Sequence, residues 1–356
     1  MANARMQAIW QEDVQAIAAS ALPWEKLSGA RVLVSGAGGF LGGYVARTLL
    51  GLHALGKVER PVQVVGMVRN AQAPSAGVTE LLRSPDFSCF AWDLKTLGIP
   101  ELGDVDYVIH AASQASPRFY GEDPVGTLLP NTVGTAALLE VLRRSKSPKG
   151  FLFVSSSEVY GSVAAQTALN ETSYGSVDPA TVRACYAESK RMGETMCLAW
   201  QHQHGIASHI VRPFHAYGPG LQPNDGRVFA DFVFNVLRNE DIVMNSDGSA
   251  RRAFCYASDA VAGFFTVLLK GTPATPYNVA NAAAELSVAE LAELLVSLYP
   301  EKGLKVSRRG GPSDSGYIAS TFSRLVPDVT RLNQLGWSAR ITPELGFKRM
   351  IEAYQG

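Results

Sequence analysis

The feature that most constrains the fold is a glycine-rich turn near the N-terminus. An apolar, β-rich run, Val32-Leu33-Val34-Ser35, ends in glycines at positions 36, 39 and 42, and an apolar stretch of helical character follows. Glycines let the backbone turn tightly and approach a phosphate, which then faces the N-terminus of the helix. We therefore expect a dinucleotide-binding turn, although a tight turn without a ligand would use the same residues.

Strand and helix patterns alternate after this turn. Apolar runs predict strands at 31–35, 62–68, 88–91, 106–110, 151–155 and 207–211. Helical spacing predicts helices at 5–20, 40–52, 125–145 and 181–204. This alternation predicts an α/β fold: a Rossmann-type, doubly wound parallel sheet with helices on both faces.

Prolines and glycines between Pro213 and Pro223 interrupt the alternation. Beyond them we expect helices near 226–239, 258–270 and 287–298, and short strands near 242–244 and 304–307. The chain then divides into an N-terminal helical extension (1–27), a dinucleotide-binding domain (28–212) and a smaller mixed α/β region (213–356). The last part is expected to be mainly substrate-binding, with segments that return to the first domain.

Composition argues against several classes of partner. The 356 residues carry 32 basic and 32 acidic side chains, so nothing indicates a nucleic-acid surface. Four scattered cysteines without a Cys-x-x-Cys pair favour a reduced, cytoplasmic protein. No apolar run is expected to reach the length of a membrane span, and residues 1–22 lack the apolar core of a secretory signal.

A second motif suggests chemistry. Tyr186 and Lys190 are four residues apart and share one face of the predicted helix 181–204. The lysine ammonium can lower the pKa of the phenol, so that the tyrosinate acts as a base near neutrality. The hydroxyl of Ser156 can share the substrate oxygen with that phenol. An ordinary amphipathic helix has the same spacing, so the motif gains weight only from the glycine turn upstream.

Taken together, these segments resemble the extended short-chain dehydrogenase/reductases of the nucleotide-sugar branch, and most of all the UDP-glucuronate decarboxylases. The resemblance covers about residues 28–352. Besides the glycine turn and Tyr186/Lys190, it rests on His110-Ala111-Ala112, Ala115-Ser116-Pro117, Asp123-Pro124, Asn131 with Gly134-Thr135, Ser155 to Gly161, Arg183-Ala184-Cys185, Tyr217-Gly218-Pro219, Asp225-Gly226-Arg227-Val228 and Asp247-Gly248-Ser249.

The resemblance implies an NAD-dependent enzyme that oxidises C4 of a UDP-linked hexuronic acid and removes its carboxylate. It implies six catalytic residues: Ser156, Ser157, Glu158, Tyr186, Lys190 and Arg252. It implies cofactor contacts from Tyr186 and Lys190, and from Gly36, Gly39, Phe40, Leu41, Gly42, Arg69, Asp93, Leu94, Ala111 and Ala112. It implies substrate contacts from Ser113, Gln114, His215, Arg227 and Arg252, and it implies no metal.

The residues leave the choice of dinucleotide open. NAD enzymes often have an acidic residue where this chain has Val68, and the neighbouring Arg69 can accept the 2′-phosphate of NADP. The family's closed redox cycle favours NAD. The resemblance also implies a homodimer paired through helices 125–145 and 181–204, which carry the apolar residues Leu128, Leu138, Leu139, Met192 and Met196.

Four positions depart from the decarboxylase pattern and put the exact sugar in question. Gln114 stands in place of a proline, Gly126 and Leu129 in place of lysines, and His215 in place of an asparagine. The aligned position of His215 faces the sugar or the pyrophosphate, although a lone histidine is more often structural.

Two neighbouring residues help to distinguish the possible reactions. Ser157 is too weak an acid to protonate a departing hydroxyl, which disfavours a 4,6-dehydratase. Glu158 would have no role at C5 in a simple 4-epimerase. An epimerase or dehydratase acting on another nucleotide sugar stays an alternative, as does a non-catalytic dinucleotide-binding sensor. The sensor has no use for the combination of Ser156, Tyr186 and Lys190.

Overall fold

The computed structural model of the chain describes residues 3–163, 168–223, 225–309 and 324–355. Its strands are β1 (Arg31–Ser35), β2 (Gln63–Val68), β3 (Phe87–Ala91), β4 (Tyr107–His110), β5 (Gly150–Val154), β6 (Ser208–Pro213), β7 (Ala216–Tyr217), β8 (Ile242–Met244), β9 (Arg251–Ala253), β10 (Cys255–Tyr256), β11 (Pro276–Val279), β12 (Glu285–Ser287), β13 (Val306–Arg308) and β14 (Arg324–Leu325). Its helices are α1 (Ala4–Ala18), α2 (Phe40–Gly51), α3 (Ala76–Leu81), α4 (Pro117–Glu122), α5 (Pro124–Asn131), α6 (Val133–Arg144), α7 (Ala184–His204), α8 (Val228–Arg238), α9 (Ala257–Lys270), α10 (Val288–Ser297), α11 (Thr330–Asn333) and α12 (Pro343–Tyr354).

One seven-stranded sheet organises the chain, in the order β11-β6-β5-β4-β1-β2-β3, and all its neighbouring strands are parallel. Every residue of β4 and β5 is buried, as expected for central strands covered on both faces. The predicted Rossmann-type α/β fold is confirmed. The strand order reverses between β1 and β4, and folds of this kind bind their ligands at the carboxyl ends of the strands at such a point.

The six predicted strands correspond to β1–β6, but the sequence analysis missed the seventh, β11. This strand is only four residues long, begins with Pro276, and pairs with β6 at the edge of the sheet. Proline weakens a strand signal in sequence, yet an edge strand tolerates it. Helix α9 packs against β5, β6 and β11 of the large sheet.

The single helix predicted at 125–145 is in fact two helices, α5 and α6, which Thr132 separates. By length and composition alone, Pro124–Arg144 could cross a membrane, which corrects the expectation that no segment reaches that length. However, 56% of its most apolar window is buried inside the protein, where α5 and α6 pack against α7. Core helices of soluble proteins have the same property.

The N-terminal helix predicted at 5–20 is α1, and it packs on the body of the chain against α2, α9 and α12. The buried carboxylate of Asp13 holds these elements together. Its Oδ2 accepts hydrogen bonds from Tyr44 (2.9 Å) and Tyr256 (3.0 Å), and its Oδ1 accepts one from Arg349 (2.9 Å). Because all three donors satisfy it, the carboxylate can be buried in this position.

The C-terminal region has an apolar core of its own, formed largely by α8, α10 and α12. Beside this core lies a small sheet in the order β12-β9-β14, in which Arg252 of β9 pairs with Leu286 of β12. The predicted strands near 242–244 and 304–307 correspond to β8 and β13, whereas β9 and β12 were not predicted. This small sheet places Arg252 opposite the carboxyl edge of the large sheet.

Candidate active site

A cleft with a volume of about 510 Å³ lies between the carboxyl edge of the large sheet and the C-terminal region. All six residues expected at the reacting atoms line it: Ser156, Ser157, Glu158, Tyr186, Lys190 and Arg252. Four of the five expected substrate contacts also line it: Ser113, His215, Arg227 and Arg252. Segments far apart in sequence therefore meet here as the resemblance implies.

The glycine turn follows β1 at the same edge. Gly36 has a φ of +75°, and a Cβ atom there would lie 2.9 Å from the backbone N and Cα of Ala112. A Cβ atom on Gly42 would lie 2.2 Å from the carbonyl oxygen of Gly36. Gly39 is the N-cap residue of α2 and offers no capping side chain. The turn is therefore bare backbone in front of a helix N-terminus, which fits the pyrophosphate of a dinucleotide.

A buried hydrogen-bond chain, which the sequence analysis missed, supports this turn. His110 Nε2 lies 3.0 Å from the carbonyl oxygen of Pro130, and its Nδ1 lies 2.7 Å from Ser35 Oγ. Burial lowers the pKa of His110 to about 3, so the ring is neutral. The carbonyl can only accept, so Nε2 carries the proton and Ser35 donates to Nδ1. Ser35 Oγ in turn accepts from the N–H of Ala112 (3.2 Å), which fixes the segment opposite Gly36.

The other expected cofactor residues lie along the same side of the sheet. Leu41 and Ala111 line the cleft, and Phe40 opens α2. Arg69 is exposed just after β2, and Asp93 follows β3, where its Oδ1 accepts from the N–H of Lys95 (3.0 Å). Leu94 is buried in the apolar cluster behind the sheet. Their contacts with a dinucleotide stay predictions.

Five of the six side chains predicted to be catalytic come from the end of β5 and from α7, and the sixth, Arg252, comes from β9. Ser156 caps a short 3₁₀ helix, Ser157–Tyr160, and its Oγ accepts from the N–H of Glu158 (3.2 Å). Tyr186 and Lys190 lie in the first two turns of α7 and are buried. The Tyr186 ring stacks on that of Tyr120, with centroids 4.9 Å apart and planes inclined by 16°. This stacking restricts the ring of the expected base.

The electrostatics of this pair differ from the sequence-based expectation. Burial raises the pKa of Tyr186 to about 12, and the Ser156 hydroxyl acts in the opposite direction. Lys190 Nζ donates to the carbonyl oxygen of Val154 (2.7 Å) and lies 5.8 Å from the centre of the Tyr186 ring. Burial lowers the pKa of Lys190 to about 7, while the Glu194 carboxylate raises it. In this arrangement the lysine does not bring the phenol's pKa down to neutrality.

Glu194 belongs to a buried ion pair one turn further along α7. Arg212 of β6 donates through Nε to Oε1 (2.9 Å) and through Nη2 to Oε2 (2.6 Å) of this glutamate. Ser155, next to the catalytic serine, also donates to Oε1 (2.6 Å). These bonds tie α7 to the ends of β5 and β6.

Glu158 follows Ser156 in the same 3₁₀ segment, and the charges of two arginines, Arg183 and Arg252, act on it. Arg183 Nη2 is 3.5 Å from Glu158 Oε2. Arg252 comes from β9, and its Nη1 donates to the carbonyl of Arg251 (2.7 Å). Burial raises the pKa of Glu158, whereas the positive charges of Arg183 and Arg252 lower it. Arg252 is therefore a buried cation beside the expected C5–C6 position, and not a solvated surface charge.

The remaining substrate candidates have different surroundings. Burial lowers the pKa of His215 to about 3, so this ring is neutral, and its Nδ1 has no hydrogen-bond partner among the described residues. Arg227 is paired with Asp225 (Nη2 to Oδ2, 2.8 Å). Ser113 Oγ is buried beside Tyr186, and the Ser113 hydroxyl acts to lower the pKa of that phenol.

Gln114 is the exception, because it does not line the cleft. Its Nε2 donates to Asp123 Oδ2 (3.2 Å), and its Oε1 accepts from Thr127 (3.1 Å). These bonds tie the segment before α4 to the N-cap and first turn of α5. The expected substrate contact of Gln114 is thus replaced by a structural one.

Tyr120 and Arg183 also line the cleft, and neither was assigned a role from the sequence. Each lies inside or beside a segment that carries the family resemblance, but nothing in the spacing indicates which way the side chain points. Among the described residues, no group of three or more His, Cys, Asp or Glu side chains is arranged to hold a metal ion.

Comparison with known proteins agrees with this geometry. The model of the NAD dependent epimerase/dehydratase family matches residues 32–280. This chain belongs to that family. UDP-glucuronic acid decarboxylase 5 of Arabidopsis thaliana is 32% identical over 331 residues, which are 92% of this chain and 90% of that protein. UDP-glucuronic acid decarboxylase 1 of Xenopus tropicalis is 31% identical over 327 residues, 91% of this chain and 72% of that protein.

Solved structures of the epimerase/dehydratase family share the fold. The UDP-glucuronic acid 4-epimerase of Bacillus cereus superposes with a TM-score of 0.74 at 21% identity, covering 91% of this chain and 99% of that one. A double mutant of a dTDP-glucose 4,6-dehydratase of Streptomyces venezuelae gives 0.74 at 24% identity, covering 91% and 97%. At these identities the likeness concerns the fold, and the predicted family and enzyme class are confirmed by the family match and the curated relatives.

Membership of the epimerase/dehydratase family makes the role of Tyr186 testable. Tyr186→Phe keeps the ring stacked on Tyr120 and removes only the hydroxyl, so cofactor binding should persist while turnover falls by about 10²–10⁴-fold. Reduction of the cofactor by substrate, followed by absorbance, measures the loss. Tyr174→Phe removes a hydroxyl from a side chain that is 86% exposed and should change nothing. Turnover of Tyr186→Phe close to wild type would remove Tyr186 from the mechanism.

Proposed function

We propose that this chain is an NAD-dependent decarboxylase of a UDP-linked hexuronic acid, with UDP-glucuronate as the substrate. The observation that carries the proposal is the grouping of Glu158 and Arg252 with Ser156, Tyr186 and Lys190 in one cleft. A cation beside a carboxylic acid or base suits a substrate that carries its own carboxylate. The curated relatives above, which are UDP-glucuronic acid decarboxylases, support the same substrate.

The first task of the site is to remove a proton from the C4 hydroxyl. Tyr186 accepts this proton, and Ser156 holds the same oxygen by a hydrogen bond. NAD⁺, when bound, supplies the acceptor for the C4 hydride and brings a positive charge that favours the tyrosinate. The positive charge of Lys190 also favours the tyrosinate, and the Glu194 carboxylate helps to keep that lysine protonated despite its burial.

The second task is to release carbon dioxide. Once C4 is a ketone, the C5 carboxylate belongs to a β-keto acid. Arg252 holds this carboxylate by charge-assisted hydrogen bonds. The C5–C6 bond breaks, its electron pair passes into the enolate of the C4 ketone, and C5 then takes up a proton. Glu158, as a carboxylate, lies where it can orient the water molecule that supplies this proton.

The main alternative within the family is 4-epimerisation of a sugar nucleotide, which needs only the C4 chemistry. Ser157, in place of an acid, argues against 4,6-dehydration, since a departing hydroxyl has to be protonated. We further propose that NAD is used rather than NADP, because the family to which this chain belongs is NAD dependent. Arg69 is exposed and can accept the 2′-phosphate of NADP, so a direct comparison of NAD and NADP binding tests this choice.

Arg252→Ala and Glu158→Gln test the decarboxylase proposal in different steps. Loss of the guanidinium leaves the substrate carboxylate unpaired, so Arg252→Ala should lose about 2–5 kcal/mol in kcat/KM for UDP-glucuronate and bind UDP-glucose almost as before. Glu158→Gln keeps the shape but not the proton transfer, so cofactor reduction should continue while carbon dioxide release slows. Both are followed by nicotinamide absorbance and by released carbon dioxide.

Arg238→Gln is the control for these variants. It removes an exposed arginine at the end of α8 that pairs with Glu240, and it should behave like wild type. If Arg252→Ala and Glu158→Gln also process UDP-glucuronate like wild type, 4-epimerisation or dehydration becomes the better account.

We also propose a cytoplasmic homodimer that pairs through α5 and α7. Leu128 and Met192 are exposed on these helices, as are Val125 and Leu198. Leu138 and Leu139 are fully buried in the core, so the expected surface loses two of its apolar residues. These four exposed apolar residues lie on two helices that pack together, and covering them favours association.

Met192→Glu tests this interface. Wild type should show twice the chain mass of 38.1 kDa in light scattering at micromolar concentration, and Met192→Glu should shift to the monomer. Val243→Glu, which places a charge at an exposed apolar position of β8, should stay dimeric. A monomeric wild type contradicts the dimer.

A further inference from the structure

Arg183 occupies a place in the cleft to which the proposed reaction assigns no role so far. It is the N-cap residue of α7, three positions before Tyr186. Its guanidinium carbon lies 5.7 Å from the centre of the Tyr120 ring, which also belongs to the stack with Tyr186. A guanidinium near an aromatic ring is restricted in orientation, so the position of Arg183 is fixed relative to the stacked rings of Tyr120 and Tyr186.

The hydrogen-bonding groups of Arg183 are only partly used. Nη2 faces Glu158 Oε2 at 3.5 Å, which is a weak contact. Nη1 is buried and has no hydrogen-bond partner among the described residues. Buried donors are nearly always satisfied, and a donor at the wall of a cleft is satisfied when a ligand brings the acceptor.

The charges around Glu158 define what that acceptor is. Four groups face this carboxylate: the guanidinium groups of Arg183 and Arg252, and the phenols of Tyr120 and Tyr186. Burial raises the pKa of both phenols, so they are neutral at physiological pH. Two cations thus flank one carboxylate, and an anionic group of the ligand is the acceptor that fits.

We propose that Arg183 is a second carboxylate-recognising residue, which donates through Nη1 to the C6 carboxylate of the sugar and through Nη2 to Glu158. This inference rests on the proposed function and names the residue that contacts both the substrate carboxylate and the Glu158 carboxylate. The planar guanidinium can hold two carboxylates at once in fixed geometry, whereas a lysine ammonium cannot. Arg183 thereby keeps Glu158 ionised before the substrate binds and places it beside C5 afterwards.

Arg183→Gln and Arg183→Lys test this role through two readouts. The first is specificity: Arg183→Gln should raise KM for UDP-glucuronate by about 10–100-fold, since a charge-assisted hydrogen bond is lost. The inhibition constant of UDP-glucose in the same assay should change by less than about 3-fold, which corresponds to the loss of no more than a weak contact. Circular dichroism confirms that each variant is folded, and Arg238→Gln is the matched control.

The second readout is the pH profile of kcat/KM, whose acidic limb reports ionisation in the free enzyme. Removing a positive charge raises the pKa of Glu158, so the acidic limb of Arg183→Gln should move to higher pH. Arg183→Lys keeps the positive charge, so the acidic limb should stay near its wild-type pH. Because the variant lacks the planar guanidinium that donates to two carboxylates, its KM for UDP-glucuronate should still rise. A merely structural role would move neither the limb nor the preference between the two nucleotides.

The outcomes separate this inference from the proposed function. If wild type releases no carbon dioxide from UDP-glucuronate, the proposed function fails and the inference fails with it. If wild type does so, but the Arg183 variants weaken both nucleotides equally or keep the wild-type limb and KM, the inference alone is overturned. Should Arg183→Gln fail to fold, Arg183→Lys alone decides, because an unchanged KM for UDP-glucuronate in that variant contradicts the two-carboxylate fork.

Discussion

The geometry of the site depends on the buried ion pair between Glu194 of α7 and Arg212 of β6. Both guanidinium contacts are short, at 2.6 and 2.9 Å, and the two side chains are only 11% and 7% exposed. The remaining donor, Arg212 Nη1, is satisfied by the Tyr160 hydroxyl and the Glu171 carbonyl, both at 3.1 Å. A pair so enclosed adds little net stability, but removing one partner typically costs about 3–5 kcal/mol. Its effect is to allow only one position of α7 on the sheet.

The positions of Ser156, Tyr186 and Lys190 follow from this constraint. Ser155 bonds to Glu194 and directly precedes Ser156, while Lys190 lies one helical turn before Glu194. One hydrogen-bond network thus fixes the positions of the Ser156 hydroxyl, the Tyr186 phenol and the Lys190 ammonium. Burial of Lys190 would otherwise favour its neutral form, and the nearby carboxylate opposes that loss of charge. The opposite wall of the cleft, which carries Arg252, belongs to the C-terminal region with its separate apolar core. The cleft therefore joins the carboxyl edge of the large sheet to a surface of the C-terminal region.

Much of this arrangement could be predicted because the relevant signals are local. The run ending at Ser35 and the glycines after it specify a strand, a turn and a helix, and parallel strands place their carboxyl ends at one edge. The order of residues alone therefore predicts that Gly36, Ser156 and Tyr186 lie close together.

What could not be predicted depends on tertiary contacts. Helix α5 ends at Asn131, just after Pro130, within a stretch whose apolar spacing is typical of one long helix, and β11 pairs only with β6 at the edge of the sheet. The pKa of Tyr186 is set by burial, which spacing does not reveal. Gln114 turns to Asp123, and Arg183 turns to Glu158, and both directions are consequences of packing.

The central claim is that the cleft removes a carboxylate from a UDP-linked hexuronic acid. Wild-type protein incubated with NAD⁺ and UDP-glucuronate labelled with ¹³C at C6 tests it most directly, with gas and nucleotide products analysed by mass spectrometry. The account predicts that the label leaves as carbon dioxide and that the remaining nucleotide carries an unlabelled pentose or 4-keto-pentose. A product that retains the labelled carbon, as an epimerised uronate would, contradicts it.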